Sequence, residues 1–383
     1  MASHVETGWF GMMHEVRPFR VLAKALIMFS IINLAFALLN TPVDRFSIYN
    51  WLIPGRLRFF VGNRRSSIIY IGNFEALFNS HVISGTPKAV DEYRVLILGD
   101  SQTWGATLTP SQTLTEELNK DGLMACGKHM KFYNLAFPYP SVVKDFLILN
   151  RSLRYRPDLI VWMLTTDSFF PSKALDFLTA RNPRITIDTL HQYHLEHYDS
   201  EVLDRYDSEI TYNPNFLEST LIGQSQYLSS LTLLQLYGPV WAATGSDYLV
   251  SPYETLDVDM QLNLKFHGYQ PPHLPSSAFA LDVLGETHKL IGNLPVLVVN
   301  EPIYMPPGKN SDVMYNAINP RWAYDRYRQL LQAFVIQNHW IYLDLYNLIP
   351  YQDFTNSELH LNPSGETNLA KSLAPEIVHI ECP

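Results

Sequence analysis

The stretch Tyr93-Arg94-Val95-Leu96-Ile97-Leu98-Gly99-Asp100-Ser101 runs a short, mostly apolar strand straight into a Gly-Asp-Ser turn. A serine placed where a buried strand gives way to a loop has its hydroxyl held by a rigid element. That position is the sheet edge at which open α/β folds bind ligands. Far downstream, Leu359-His360-Leu361-Asn362-Pro363-Ser364-Gly365 sets a histidine just before a helix start. Asn362 reads as its N-cap and Pro363 as its first helical residue. A nucleophile on one loop and a base on another is what serine acyl chemistry requires.

Working outward, the pattern alternates strand and helix. Thr109-Pro110-Ser111-Gln112 is a capping box with proline at the first helical position, predicting a helix to about Lys120. Lys131–Leu135 reads as a second strand and Val142–Leu153 as a helix with apolar residues at helical spacing. Leu159–Leu164 is continuously apolar, as expected of a strand covered on both faces. Helix 277–291, strand Pro295–Val299, helix 320–337 behind Asn319, strand Trp340–Leu343 and helix 363–374 complete the series. The expected fold is α/β: a three-layer α/β/α sandwich around a central, mostly parallel five-stranded sheet.

At these residues the chain resembles the SGNH/GDSL hydrolase family, over about residues 92–170 and 293–379. The resemblance implies a flavodoxin-like fold and an ester-cleaving serine, with Ser101 as nucleophile, His360 as base and Asp100 beside them. Gly105 matches the glycine that closes the family's first block. Ala136, in Tyr133-Asn134-Leu135-Ala136, stands where the family has an oxyanion-binding glycine, and its backbone N–H is the expected donor beside that of Ser101. Asp167 stands at the family's oxyanion asparagine, a departure because a carboxylate repels a developing oxyanion. Asn300 is a substitute side-chain donor. The family's triad acid falls on Ser357, so Glu358 or Asp353 takes that role, or the serine and histidine act as a dyad.

Hydrophobic residues make up 47% of the 383 residues and charged ones 17%, a balance consistent with membrane contact. A net charge of −9 argues against nucleic acid as a main partner. The two cysteines, Cys126 and Cys382, pair at most once and form no framework or zinc site. No cofactor and no metal are implied.

Val21 to Leu39 is a long apolar run with Lys24 near one end, read as a single membrane anchor. Basic residues on both flanks (Arg17, Arg20 and Lys24 before, Arg45, Arg56 and Arg58 after) leave the orientation undecided by charge. An anchor ahead of a hydrolase-like domain places that domain extracytoplasmically by analogy.

The expected organisation is a flanking segment 1–20, an anchor 21–39, a connector 40–91, a catalytic domain of 92–170 and 277–379, and an insertion 171–276 as a cap. The connector, with Tyr49, Trp51, Arg56, Arg58, Phe59, Phe60, Arg64 and Arg65, suits a headgroup layer or an arm packed on the domain. In the insertion, His191, His194 and His197 recur every three residues, as a metal clasp or a polar helix face. Residues 219–246 carry no charge and read as an amphipathic helix against the bilayer or over the cleft.

The reading is therefore a membrane-anchored serine ester hydrolase or acyltransferase acting through an acyl-serine on acylated carbohydrate or lipid. A membrane acyltransferase partner fits the transferase version. The alternative is a catalytically inactive relative that uses the cleft to bind or scaffold.

Overall fold

The computed structural model describes residues 17–39, 55–61, 74–170, 178–179, 182–195, 214–217, 219–244, 254 and 256–380. Arg45, Tyr49, Trp51, Arg64, Arg65, His197 and Cys382 lie outside the described residues.

The sheet is built from β1 (Glu92–Leu98), β2 (Met124–Ala125), β3 (Lys128–Asn134), β4 (Leu159–Leu164), β5 (Val296–Asn300) and β6 (Ile341–Asp344). Its order is β2-β3-β1-β4-β5-β6. All neighbours are parallel except β2, which pairs antiparallel with β3. Numbering only the parallel strands in chain order gives 2-1-3-4-5, the flavodoxin-like doubly wound order. Six strands thus replace the expected five. The extra one is a two-residue hairpin partner, joined to β3 through Cys126 (φ 54°) and Gly127 (φ 73°), the left-handed pair of a tight hairpin turn. So short a strand leaves no periodic trace. Cys126 is disulfide-bonded.

Strand residues alternate between two cores. Leu96, Leu98, Ile160, Trp162, Leu164 and Val298 face one side, with Phe146 and Leu149 of α5 (Val142–Ser152), Val283 and Leu284 of α8 (Leu281–Ile291), and Leu331 and Val335 of α9 (Arg321–Gln337). Val95, Ile97, Val161, Met163, Leu297 and Val299 face the other, against Leu114 and Leu118 of α4 (Leu114–Lys120) and Leu369, Leu373 and Ile377 of α10 (Pro363–Val378). These are the three layers. Each fully buried Leu, Val or Ile stabilises by roughly 1.5–3 kcal/mol, which explains why strands that alternate in facing have no polar side.

Boundaries differ where capping intervenes. The Thr109 capping box closes only a 3-10 turn, Pro110–Gln112. Thr113, extended at φ −74°, ψ 156°, then breaks the helix and stands at the N-cap position of α4, its hydroxyl donating back to the Pro110 carbonyl. The last helix runs through Pro375 to Val378 instead of ending at residue 374. Helix α8 starts at Leu281, after a 3-10 turn at Ser276–Ala278.

Ahead of the sheet, α1 (Pro18–Leu39) is long and apolar enough to cross a membrane and is almost wholly exposed. The described part of the connector is an arm packed on the domain. Phe59 and Phe60 are buried, and so is α2 (Phe74–Ser80). In the insertion, α6 (Pro183–Gln192) carries His191, but the chain turns left-handed at His194 (φ 56°). His191 and His194 therefore do not share a helix face. Helix α7 (Ser225–Thr244) has apolar residues around its whole circumference, so it is not amphipathic as expected.

Candidate active site

Ser101 opens a one-turn helix, α3 (Ser101–Trp104), at the end of β1. Asp100 caps that turn, its carboxylate accepting from the Gln102 N–H at 2.9 Å. Gly105 ends it in the left-handed region (φ 86°), where a side chain would meet Thr113 and Arg58. Buried Arg58 seals the other end by donating to the carbonyls of Trp104, Gly105 and Leu108, its guanidinium stacked 3.9 Å over the Trp104 ring. The Ser101 turn is thus held at both ends, one of them by the arm that leads from α1.

His360 reaches the same point from a tight loop. Phe354 pairs with Leu361, Thr355 N–H donates to the His360 carbonyl at 2.8 Å, and Asn362 N–H to the Asp353 carbonyl at 2.8 Å. Asn362 then caps α10, accepting from Gly365 N–H at 2.9 Å. Ser101 Oγ and His360 Nε2 stand 2.9 Å apart. On the far side of the ring, Nδ1 lies 3.0 Å from Asn356 Oδ1. An amide oxygen only accepts, so Nδ1 carries the proton and Nε2 presents its lone pair to the serine. Burial holds the His360 imidazole down at about 4, so it is neutral at pH 7.

Neither expected acid serves the histidine. Asp353 faces the amides of Asn362 (3.4 Å) and Asn368 (3.5 Å) at the start of α10, and Glu358 offers its backbone carbonyl to Tyr304 N–H at 2.8 Å. Ser357, at the family's acid position, accepts from the N–H groups of Leu359 (3.3 Å) and His360 (3.1 Å) and so shapes the loop.

The expected oxyanion donors are also redistributed. Among the described residues the Ser101 N–H has no acceptor. Ala136 is fully buried and its N–H donates to Asn134 Oδ1 at 3.2 Å. Asn300 donates to Asp344 Oδ1 at 2.9 Å and accepts from the Tyr324 hydroxyl at 3.3 Å, away from the serine. Asp167 lies 3.0 Å from His267 Nε2, and His267 stacks on Phe170 at 3.6 Å. The insertion therefore supplies the group that partners this carboxylate.

No protein-family model matches the chain, and no curated protein matches it. Among solved structures, a member of the lipolytic G-D-S-L family from Veillonella parvula is similar at 10% identity, covering 75% of this chain and 99% of that one, with a TM-score of 0.36. The M. smegmatis aryl esterase is similar at 14% identity, 74% and 97% coverage and a TM-score of 0.34. A carbohydrate acetylesterase from Sinorhizobium meliloti is similar at 13% identity, 75% and 99% coverage and a TM-score of 0.32. The strand order and the residues at the ends of β1 and α10 are this chain's own. The fold is a flavodoxin-like doubly wound α/β sandwich.

Beneath the Ser101 turn lies a buried charge cluster that sequence reasoning missed. Lys144, wholly buried, donates to the carbonyls of Gly99 (2.9 Å), Phe137 (2.7 Å) and Tyr139 (2.8 Å) and pairs with Asp145 at 3.0 Å. Burial pushes the Asp145 carboxyl up to about 6 and that of Asp100 upward. Glu301, just after β5, accepts from Thr103 Oγ1 at 2.5 Å, and burial first, then the nearby Asp100, drives its carboxyl well above the ordinary range. The available signal was a lysine set among the apolar residues Val142, Val143 and Phe146 at a helix start. A separate hollow of about 310 Å³ lies behind the histidine loop, walled by Tyr304, Tyr351, Phe354 and Thr355, with neither Ser101 nor His360 in its wall.

Proposed function

We propose that this chain is a membrane-anchored serine ester hydrolase or acyltransferase that works through an acyl-serine. The observation that carries the reading is the 2.9 Å approach of Ser101 Oγ to a neutral His360 whose tautomer Asn356 sets. Ser101 Oγ attacks the ester carbonyl carbon as its proton passes to His360 Nε2. The oxyanion forms against the Ser101 N–H. The ester C–O bond breaks, the leaving alcohol takes the proton from His360, and the acyl group stays on Ser101. A second hydroxyl then gives its proton to His360 and attacks the acyl carbon, the acyl–Oγ bond breaks, and Ser101 Oγ takes that proton back from His360. Water as that acceptor gives an esterase, and a sugar or lipid hydroxyl gives a transferase.

Acylated carbohydrate or lipid is the substrate class, and α1 is the anchor. The Cys126 disulfide supports an extracytoplasmic domain, because disulfides persist in oxidising compartments. A second reading, a non-catalytic glycan-binding relative, is favoured by the commitment of the Ala136 N–H and the Asn300 amide to internal partners. Labelling of the detergent-solubilised protein with a fluorophosphonate separates the two. The enzyme reading requires labelling that is lost in Ser101→Ala and His360→Ala. Folded wild type that stays unlabelled supports the binding protein.

A further inference from the structure

We propose that α7 is a second membrane contact, lying at the boundary of headgroups and acyl chains beside α1 and seating the domain on the bilayer. The inference rests on the reading of α1 as a membrane span.

Composition comes first. From Ser219 to Ser246 the chain has no charged residue, and α7 carries apolar side chains around its circumference. A helix of that kind needs cover on every side. The domain covers one side only. Leu231, Leu234 and Gly238, spaced three and four apart, are buried, Leu234 in the main core, and α7 packs on α2. On the opposite side Leu236 is 64% exposed and Val240 56%, with Tyr237 beside them. The turn before the helix adds exposed Ile222, and upstream of it Phe216 and Leu217 are exposed too.

Position supplies the occupant. Asn33 is the one buried residue of α1, and its Oδ1 accepts from the Ile222 N–H at 3.3 Å, just upstream of α7. Its amide nitrogen donates to the Phe29 carbonyl at 2.9 Å, so neither end of this polar side chain is left to lipid. Asn33 lies about 9 Å along the helix from Leu39, at roughly 1.5 Å per residue. If α1 spans, Ile222 is therefore held about 9 Å inside the end of the span, and α7 leaves from there with Leu236 and Val240 uncovered on a face they share with exposed Ser225, Ser229 and Thr232. The Ile222–Asn33 bond ties the start of α7 to α1, and the partner that fits both exposed apolar surfaces is lipid.

A lone span leaves a domain free to swivel about its tether. A second attachment through α7 removes that freedom and aligns the cleft with the membrane surface. The mechanical link is short: α7 packs on α2, Ser80 at the end of α2 accepts from the Arg56 N–H, and Arg58 holds the Ser101 turn.

The test uses the full chain in phospholipid nanodiscs, with an environment-sensitive fluorophore at Leu236→Cys, Val240→Cys, Leu26→Cys on α1 or Val90→Cys, 96% exposed ahead of β1. Doxyl-labelled lipid and aqueous iodide serve as quenchers. The expected result is loss of emission to doxyl lipid at Leu26, Leu236 and Val240, and to iodide alone at Val90. Doxyl quenching at Leu26 with iodide quenching at Leu236 and Val240 overturns the proposal and leaves the anchor standing. Shielding of Leu236 and Val240 from both quenchers also overturns it, in favour of a protein partner. No doxyl quenching at Leu26 removes the anchor reading and the proposal with it. Asn33→Leu adds a second readout: loss of the dock lowers doxyl quenching at Leu236 while that at Leu26 stays, and unchanged quenching at Leu236 counts against the dock.

Discussion

Asn356 Oδ1 lies 3.0 Å from His360 Nδ1, so a neutral amide occupies the side of the imidazole where a triad carboxylate would stand. An amide orients the ring and fixes its tautomer but adds no negative charge to stabilise an imidazolium. With burial acting alone, the imidazole stays at about 4.

A pH profile follows from that value. His360 must be unprotonated to take the serine proton, so kcat/KM keeps its plateau on acidification until the limb near pH 4. Asn356→Asp puts a charge beside Nδ1–H, raises the imidazole pKa and moves the limb to higher pH. Asn356→Ala frees the ring and lowers kcat by up to about 100-fold. An acid limb in Asn356→Asp that coincides with wild type would remove Asn356 from this role.

Lys144 tests the charge cluster. Lys144→Met takes the ammonium from the Phe137 and Tyr139 carbonyls, leaves the Gly99 carbonyl only the Phe137 N–H, and leaves Asp145 without its cation. Breaking a buried pair by removing one partner costs about 3–5 kcal/mol. Urea denaturation of the detergent-solubilised chain should show that loss; a shift within experimental scatter would mean the cluster carries no net stabilisation.

Glu301 gives stability a pH dependence of defined sign. Its folded carboxyl is raised well above the unfolded one, so between those values the native state binds the extra proton. Stability is then greatest below the unfolded pKa and falls as pH rises, by about 1.4 kcal/mol per pH unit at most. Glu301→Gln, neutral at every pH, flattens that part of the curve. Parallel stability curves for the two proteins above pH 5 would exclude the assignment.

The contact between Asp167 and His267 is half open to solvent, with side chains 26% and 29% exposed. A double-mutant cycle with Asp167→Asn and His267→Gln should give a coupling no larger than about 1 kcal/mol at neutral pH. A coupling of several kcal/mol would show that the insertion is bound to the sheet more tightly than this geometry allows.

Ser101 and His360 were legible because each stands at a local signal, a strand end and a helix cap, and their pairing follows from the family pattern. The acid was not. Which of Asp353, Asn356 and Glu358 meets the ring depends on how residues 354–361 turn, and the Phe354–Leu361 pairing points Asn356 inward. Asn300 was placed correctly at a strand end, but its amide belongs to Asp344 on the neighbouring strand, a partner no local pattern names. Lys144 escaped for a related reason: its meaning comes from how the loop before its helix turns the Phe137 and Tyr139 carbonyls toward it and from the Gly99 carbonyl of a distant strand end.

By itself the sequence determined the alternation of strands and helices, the two-sided burial of the sheet and the apolar span, because these rest on periodicity and capping within a few residues. Only the tertiary structure decided which amides and carboxyls face the serine, which are spent on internal hydrogen bonds, and where the uncharged helix of the insertion lies. Those outcomes depend on side chains far apart in the chain competing for the same donors and acceptors, and that competition is settled only when the layers close.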